Sequence, residues 1–566
     1  MINTPAISAT QAAPSAPATA ATDWWRDAII YQVYPRSYLD TDGDGVGDLP
    51  GITARLDYIA SLGVDIVWLS PFFKSPMKDF GYDISDYCDV DPLFGTLADF
   101  DALVARAHAL GLKIMIDQVM SHTAEAHPWF AESRASRDNP KADWYVWADP
   151  LPDGNPPNNW LSVFGGSSWQ WDTRRRQYYM HNFLVSQPQL NFHNPEVQQA
   201  QLDVLRFWLE RGVDGARMDA CDYYFHDRQL RSNPPAAAHD TGLTTAVNPY
   251  GMQSHLYDKT QPDNIAFLRR VRTLLDEYGA IAIGEVGADD ALAVMAEYTS
   301  GGDKLHMAYS FSLLTPDFSA AHIRQQVEDF EARVQGGWAS WSVGNHDSVR
   351  VMTRWGGEQP SPALARLVLA MQCSLRGTPC LYQGDELALS EAEVPFELLQ
   401  DPYGIAFWPE FKGRDGCRTP MPWTPEAPNA GFTDGAPWLP VAAPHLARAV
   451  AKQEGEADSP LNFARRFIAW RRTQPQLTRG AIAFFDAPEP VLAFTRSLDG
   501  MPAVLAAFNL SDGEVAFEWP QALEASDLGG HGLSGSHEGK GRITLPPYGA
   551  WYGSVKAGWA PASAVK

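Results

Sequence analysis

Eight short β-rich runs, at 28–34, 65–69, 113–119, 215–219, 280–286, 306–313, 338–344 and 378–382, punctuate this chain, and several intervals between them carry apolar residues at helical spacing. Ile52, Leu56, Ile59 and Leu62 make one such face, Phe100, Leu103, Ala107 and Leu110 another, and Leu202, Leu205, Phe207 and Leu209 a third. Strands alternating with amphipathic helices build parallel βαβ units, because the crossover helix returns the chain to the same end of the sheet. Eight units in succession predict an α/β chain closed into a (β/α)8 TIM barrel rather than an open doubly wound sheet.

At 566 residues the chain is too long for one core, and the pattern locates the excess. After the third run no helical pattern begins until about residue 194, and the interval, rich in Asn, Pro, Gly, Trp and Tyr, is too long for a connecting loop. Residues 121–193 are therefore expected as a subdomain inserted over the rim, dividing the barrel into 23–120 and 194–477. Past the helical run at 462–472 come short alternating strands at 491–495, 503–508 and 542–545, which predict an antiparallel β domain over 478–566. Residues 1–22, rich in Ala, Pro, Thr and Ser and without Lys or Arg, are expected as a disordered tail lacking the basic and apolar parts of a signal peptide.

The formal charge of −24 excludes nucleic acid and anionic membrane surfaces as partners and leaves a neutral small molecule as the natural ligand. No run approaches the roughly 20 apolar residues of a membrane helix. Cys88, Cys221, Cys373, Cys380 and Cys417 are odd in number and scattered, which speaks against a disulfide framework or a zinc site and for a reducing, cytoplasmic location. A monomer or a homodimer is expected.

Three acids end three of the runs: Asp219 in Gly215-Ala-Arg-Met-Asp219, Glu285 in Ile283-Gly-Glu-Val, and Asp347 in Gly344-Asn-His-Asp347. In a parallel barrel all three reach the catalytic rim, where two carboxylates suffice to split a glycosidic bond. Arg217, two residues before Asp219, shares its side of the strand and keeps the acid ionised, although a structural ion pair is the alternative. Glu285 follows an apolar run that raises its pKa, or else caps the next helix; Asp347 either joins the site or caps its own turn. Asp40, Asp42, Asp44 and Asp48 alternate round a glycine-rich loop, which fits a hard cation, calcium first and magnesium second. Gly51 stands where an EF-hand needs its glutamate, so the loop is not an EF-hand; a solvated turn, with Asp48 as a helix cap, is the competing reading.

With these residues assembled, the chain from about Trp24 onward resembles the α-amylase family, glycoside hydrolase family 13, in its α-glucosidase and oligo-1,6-glucosidase branch. The motifs are Tyr31-Gln-Val-Tyr-Pro-Arg-Ser with the acidic loop, Asp79-Phe-Gly-Tyr82-Asp, Asp117-Gln-Val-Met-Ser-His122, Gly212-Val-Asp-Gly-Ala-Arg217-Met-Asp219, and the segments around Glu285 and Asp347. The resemblance implies Asp219 as nucleophile oriented by Arg217, Glu285 as acid and base, and His346 and Asp347 at the 2- and 3-hydroxyls. It implies Tyr82 beneath the sugar, Asp79 and Arg414 at the 4-hydroxyl, His122 at the 6-hydroxyl, and Phe164 and Phe183 as aromatic walls. It also implies calcium held by Asp40, Asp42, Asp44, Asp48 and the Val46 carbonyl. Ser121 replaces an asparagine that ligates a second calcium in many amylases, so none is expected there. Gln189 also departs from the Gln-Pro-Asp-Leu-Asn of typical oligo-1,6-glucosidases.

The function so implied is a retaining, exo-acting α-glucosidase on short oligosaccharides, with transglucosylation. Ala220, where α-1,6-specific relatives carry valine, inclines it to α-1,4 links. The stretch 248–258 either walls the pocket or is a passive surface loop. The alternatives are an oligo-1,6-glucosidase, a sucrose- or trehalose-acting hydrolase, a dedicated glucosyltransferase or, outside enzymes, an inactive binding protein like a transporter ectodomain.

Overall fold

The computed structural model describes residues 23–237, 245–358, 360–519, 525–538 and 541–555, so the tail expected at 1–22 lies outside the described residues. The parallel strands β1 (Ile30–Val33), β2 (Ile66–Leu69), β3 (Lys113–Gln118), β4 (Gly215–Met218), β5 (Ile281–Val286), β6 (Met307–Ser310), β7 (Ser340–Ser342) and β8 (Thr378–Tyr382) follow one another round a single sheet. A parallel bridge between Ala308 and Ala339 joins its two ends and closes the barrel. All eight expected runs become strands. The sixth is shorter than expected, because the chain turns into a 3-10 helix at Phe311–Leu313. The face Ile52 to Leu62 is also not one helix but two, Leu49–Ala54 and Leu56–Ser61, broken where Arg55 leaves helical ψ.

Alternation along each strand fills the barrel. Ile30, Ile66, Trp68, Met115, Ile281, Ile283, Met307, Tyr309 and Cys380 form one buried cluster, closed at the strands' N-terminal end by Trp25, Ala28 and Trp338. Period two then places Asp117 beyond Met115, Arg217 beyond Gly215, Glu285 beyond Ile283 and Tyr309 beyond Met307, so the interior turns polar toward the C-terminal ends. Register brings Asp117 opposite Arg217 and Glu285 opposite Tyr309. The outer faces pack on helices such as Leu97–Ala109, whose Phe100, Leu103, Val104 and Ala107 are buried and whose Thr96 and Asp99 form a capping box.

Between β3 and the helix Pro195–Glu210, the strands Trp147–Ala148, Gln177–Met180 and Trp169–Asp172 form the antiparallel sheet of the inserted subdomain, around Trp160 and Trp169. Among the described residues the C-terminal domain has a five-stranded antiparallel sheet, which includes Val491–Ser497 and Ala503–Asn509, and a three-stranded one centred on Arg542–Leu545; Leu505, Trp519 and Trp551 lie in the core they share. Among the described residues no helix is long and apolar enough to cross a membrane.

Arg496, fully buried, fastens that domain to the barrel: its guanidinium donates to the carbonyls of Ser374 at 2.6 Å, Leu375 at 2.8 Å and Gly480 at 2.8 Å. Residues 374 and 375 precede β8, on the barrel face opposite the rim acids, where contacts serve stability. Arg496→Met strips buried carbonyls of their donor and is expected to lower the unfolding free energy by about 2–4 kcal/mol in urea while leaving turnover intact.

Candidate active site

Arg217, with no exposed surface, sits where β3, β4, β5 and β6 point their last inward side chains. Its Nη1 donates to Asp117 Oδ1 at 2.7 Å and to Asp219 Oδ1 at 2.5 Å, and its Nη2 lies 2.5 Å from Glu285 Oε1. The Tyr309 hydroxyl accepts from Nη2 at 2.8 Å and donates to Glu285 Oε1 at 3.0 Å. Just past Asp219, Ala220 takes a left-handed φ of +40°, and its N–H donates to Glu285 Oε2 at 3.0 Å. Backbone strain of this kind, about 1 kcal/mol or more, persists where surrounding contacts impose it. Here it ties the chain beyond one acid to the other.

Three carboxyls around one cation cannot all ionise cheaply. Burial pushes Glu285 up to about 7 and Asp219 up to about 7, Arg217 being the main opposing influence on each, and burial likewise raises Asp117 to about 6. The group is therefore poised to hold a proton near neutrality. Arg217 itself is held well above its usual range by these acids despite burial.

Asp347 follows β7 and contrasts with them. Burial pushes it up, but the Arg414 and Arg418 guanidiniums beside it more than offset this and hold it well below the carboxylate range. Arg418 Nη2 donates to its Oδ1 at 2.7 Å and Arg414 Nη1 at 3.2 Å. His346 stacks on Tyr82 with centroids 5.4 Å apart and planes within 3°. Its Nδ1 is 2.7 Å from the Gln32 amide nitrogen, which can only donate, so Nε2 carries the proton and donates to the Tyr82 hydroxyl at 2.6 Å. Burial lowers His346 to about 3, so it stays neutral.

Asp79 accepts from Arg414 Nη2 at 3.0 Å and from Gln187 Nε2 at 3.0 Å, and burial raises it to about 6. The buried Asp401 holds Arg414 in place, accepting from its Nη2 at 2.8 Å and its backbone N–H at 2.8 Å. His122, lowered to about 4 by burial, lies 3.2 Å from the Gln187 amide nitrogen, and Phe183 packs 5.3 Å from its ring. Phe164 lies 5.8 Å from Phe183.

These groups surround a cavity of about 720 Å³, walled by Asp79, Tyr82, His122, Phe164, Phe183, Asp219, Glu285, Asp347 and Arg414. Every rim residue singled out in the sequence is thus in one place, with Arg217 and His346 lying just beneath the wall. Sequence reasoning missed Asp117, Tyr309, Asp401 and Arg418. Asp117 and Tyr309 occupy inward strand positions that alternation marks, and Arg418 stands four residues after Arg414; Asp401 carries no such signal. Of the long segment after β4, Thr245 and Ala246 line the cavity, and no residue of 248–258 does.

In the acidic loop, Asp40, Asp42 and Asp48 each present a ligand oxygen, all within 4.8 Å of one another. The Asp44 carboxylate stands outside this group and accepts from the Val46 N–H at 2.8 Å. Asp48 is also the cap of the helix Leu49–Ala54, accepting from Gly51 N–H at 2.6 Å, so the two readings of it coexist. An all-oxygen carboxylate set suits calcium or magnesium.

An alpha-amylase catalytic-domain model matches residues 32–480. A probable alpha-glucosidase of Rhizobium meliloti (strain 1021) is 56% identical over 539 residues, covering 94% of this chain and 97% of that protein. An oligo-1,6-glucosidase of Heyndrickxia coagulans is 36% identical, over 94% of this chain and 99% of its own. The crystal structure of an alpha-glucosyl transfer enzyme superimposes with a TM-score of 0.92 at 59% identity, covering 94% of this chain and all of that one.

Because Asp117, Asp219 and Glu285 titrate higher folded than unfolded, the folded chain binds extra protons, and their contribution to stability is lost as pH rises from about 4 toward about 7. Arg217→Met removes the cation that opposes this. It is expected to cost about 3–5 kcal/mol at pH 7 and less at pH 5, read as urea midpoints across pH.

Proposed function

The chain belongs to the alpha-amylase family of glycoside hydrolases, and from that premise we propose that it is a retaining, exo-acting α-glucosidase that removes terminal α-1,4-linked glucose from maltose and short α-glucosides and also transfers it to sugar hydroxyls. The observation that carries this reading is the single guanidinium shared by Asp219 and Glu285 at the cavity wall. Sharing it brings both acids to one place on the cavity wall, where one can attack the anomeric carbon while the other serves the leaving oxygen, as the retaining mechanism requires.

Asp219, in its ionised form beside Arg217, attacks the anomeric carbon while Glu285, in its protonated form, gives its proton to the leaving oxygen, producing a β-glucosyl-enzyme. Glu285, now a base, takes a proton from water or from a sugar hydroxyl, which attacks the same carbon and releases α-glucose or an α-glucoside. The ionised Asp347 stabilises the positive charge that grows on the ring in the transition state. Asp79 and Arg414 bind the 4-hydroxyl of a terminal sugar and so favour exo attack. Tyr82 lies under that sugar, His122 meets its 6-hydroxyl, and Phe164 and Phe183 flank it. The names of the relatives, glucosidases and a glucosyl transfer enzyme, support both fates of the intermediate. Five free cysteines, none paired, support a cytoplasmic location.

Glucose release from maltose, isomaltose, sucrose and trehalose tests the linkage. Maltose is expected to be cleaved fastest, Glu285→Gln to lose at least about 100-fold in turnover, and Ala220→Val to move preference toward isomaltose. Fastest cleavage of another sugar by the parent chain overturns the α-1,4 assignment.

The acidic loop we assign to one structural calcium held by Asp40, Asp42 and Asp48, with Asp44 and the Val46 carbonyl completing the loop's oxygen donors. Chelation is then expected to lower the thermal midpoint, with calcium restoring it more fully than magnesium, and saturation at about 100 times the dissociation constant adding about 2.7 kcal/mol. Asp42→Asn should blunt this response, and a midpoint indifferent to chelator and metal overturns the assignment.

A further inference from the structure

Lys259 is 1% exposed, and all three donors of its ammonium are used: it donates to Gly287 O at 2.6 Å, Tyr250 Oη at 3.0 Å and Tyr223 Oη at 3.2 Å. Its ion-pair partner is distant, with Asp289 Oδ1 at 3.9 Å. The three acceptors come from three separate stretches of chain. Tyr223 stands four residues after Asp219, Gly287 two after Glu285, and Tyr250 in the segment that begins with Thr245 and Ala246. Tyr223, Gly287, Thr245 and Ala246 all face the cavity, together with Ala220, whereas Lys259 and Tyr250 do not. The Ala220 N–H donates to Glu285 and Gly287 closely follows that acid, so this wall stands beside the group that protonates the leaving oxygen, and Tyr223, 5.6 Å from Phe183, is where it meets the wall of the donor sugar.

The same segment is braced elsewhere. The Tyr250 and Tyr223 hydroxyls are 2.7 Å apart, and the Tyr250 ring stacks on His255 at 3.7 Å. Asn248 Nδ2 donates to Val163 O at 2.7 Å in the inserted subdomain and to Tyr403 Oη at 3.1 Å. A segment held this way is a fixed wall, and its position is set from behind by the one charged group that bonds to all three stretches.

We propose that Lys259 is a positioning residue for the acceptor side of the cavity, and that by fixing Tyr223, Gly287 and the 245–250 segment it sets how the glucosyl-enzyme divides between water and a sugar acceptor. The inference rests on the α-glucosidase reading. Fixing the wall lowers the cost of orienting an acceptor hydroxyl against the anomeric carbon, whereas water, small and abundant, gains little from it.

The test compares the parent chain with Lys259→Met and with Tyr250→Phe, which keeps the ring on His255 and deletes one bond to the ammonium. The donor is p-nitrophenyl α-glucoside and the added acceptor is cellobiose, whose β link an α-glucosidase does not cleave, so that free glucose comes from the donor alone. Lys259→Met is expected to lower the ratio of transfer product to free glucose by about tenfold, the scale of one charge-assisted hydrogen bond, and Tyr250→Phe by less, while p-nitrophenol release without acceptor stays within about twofold. An unchanged ratio in both variants overturns the inference. So does an equal fall in transfer and hydrolysis, which is what a merely destabilised chain gives through its smaller active fraction. A parent chain that releases no p-nitrophenol overturns the α-glucosidase reading and this inference with it.

Discussion

Arg217 carries one positive charge into a barrel that encloses three carboxyls at its C-terminal end, and much of the surrounding structure answers that imbalance. The cation lies 5.1 Å from the Trp68 ring centroid and is shut from water, where each contact to Asp117, Asp219 and Glu285 is far stronger than it would be outside. One cation among three acids leaves an excess of negative charge, and the least costly remedy is to keep a proton. A site that must hold one acid ionised and another protonated is thereby built from strand register alone, with Asp117 facing Arg217 and Tyr309 facing Glu285 across the ladder.

The opposite half of the cavity meets a milder form of the same imbalance, with two cations among three acids. Arg414 and Arg418 arrive from an irregular stretch after β8 and meet Asp79, Asp347 and the buried Asp401. The same stretch reaches the acidic loop, where the Thr433 hydroxyl donates to Asp40 Oδ2 at 2.5 Å. The six backbone N–H groups of residues 41–46 already donate to carboxylate oxygens of Asp40, Asp42, Asp44 and Asp48, so the proposed calcium would fasten a loop that is shaped in advance and that shares its support with the arginine side of the cavity.

The barrel was legible because its information is local. Each strand announces itself in a run of five to eight residues, and period two then says which side chains enter the interior, so Arg217 and Glu285 could be placed from a few neighbours. The helix at 52–62 was misjudged because apolar spacing survives a break at Arg55 that only backbone angles reveal. Asp401 was out of reach for a different reason: it holds Arg414 across 13 residues that have no periodicity to read, while Arg418, whose one signal was its spacing from Arg414, finds its partner Asp347 71 residues away. Lys259 was equally silent, since nothing in Tyr-Asp-Lys-Thr tells a buried ammonium from a solvated one. Resemblance to a family supplied the roles of Asp79, His122 and Arg414, for which the residues themselves offered no pattern.

The central claim is that Asp219 forms a covalent bond to the sugar while Glu285 manages the proton. Mass spectrometry of peptides from Glu285→Gln incubated with α-glucosyl fluoride, whose leaving group needs no acid, tests it directly. The account predicts a glucosyl adduct on the peptide that contains Asp219, because formation proceeds and release lacks its base. Fluoride release with no adduct and β-glucose as the first product, or an adduct on any other residue, would contradict it.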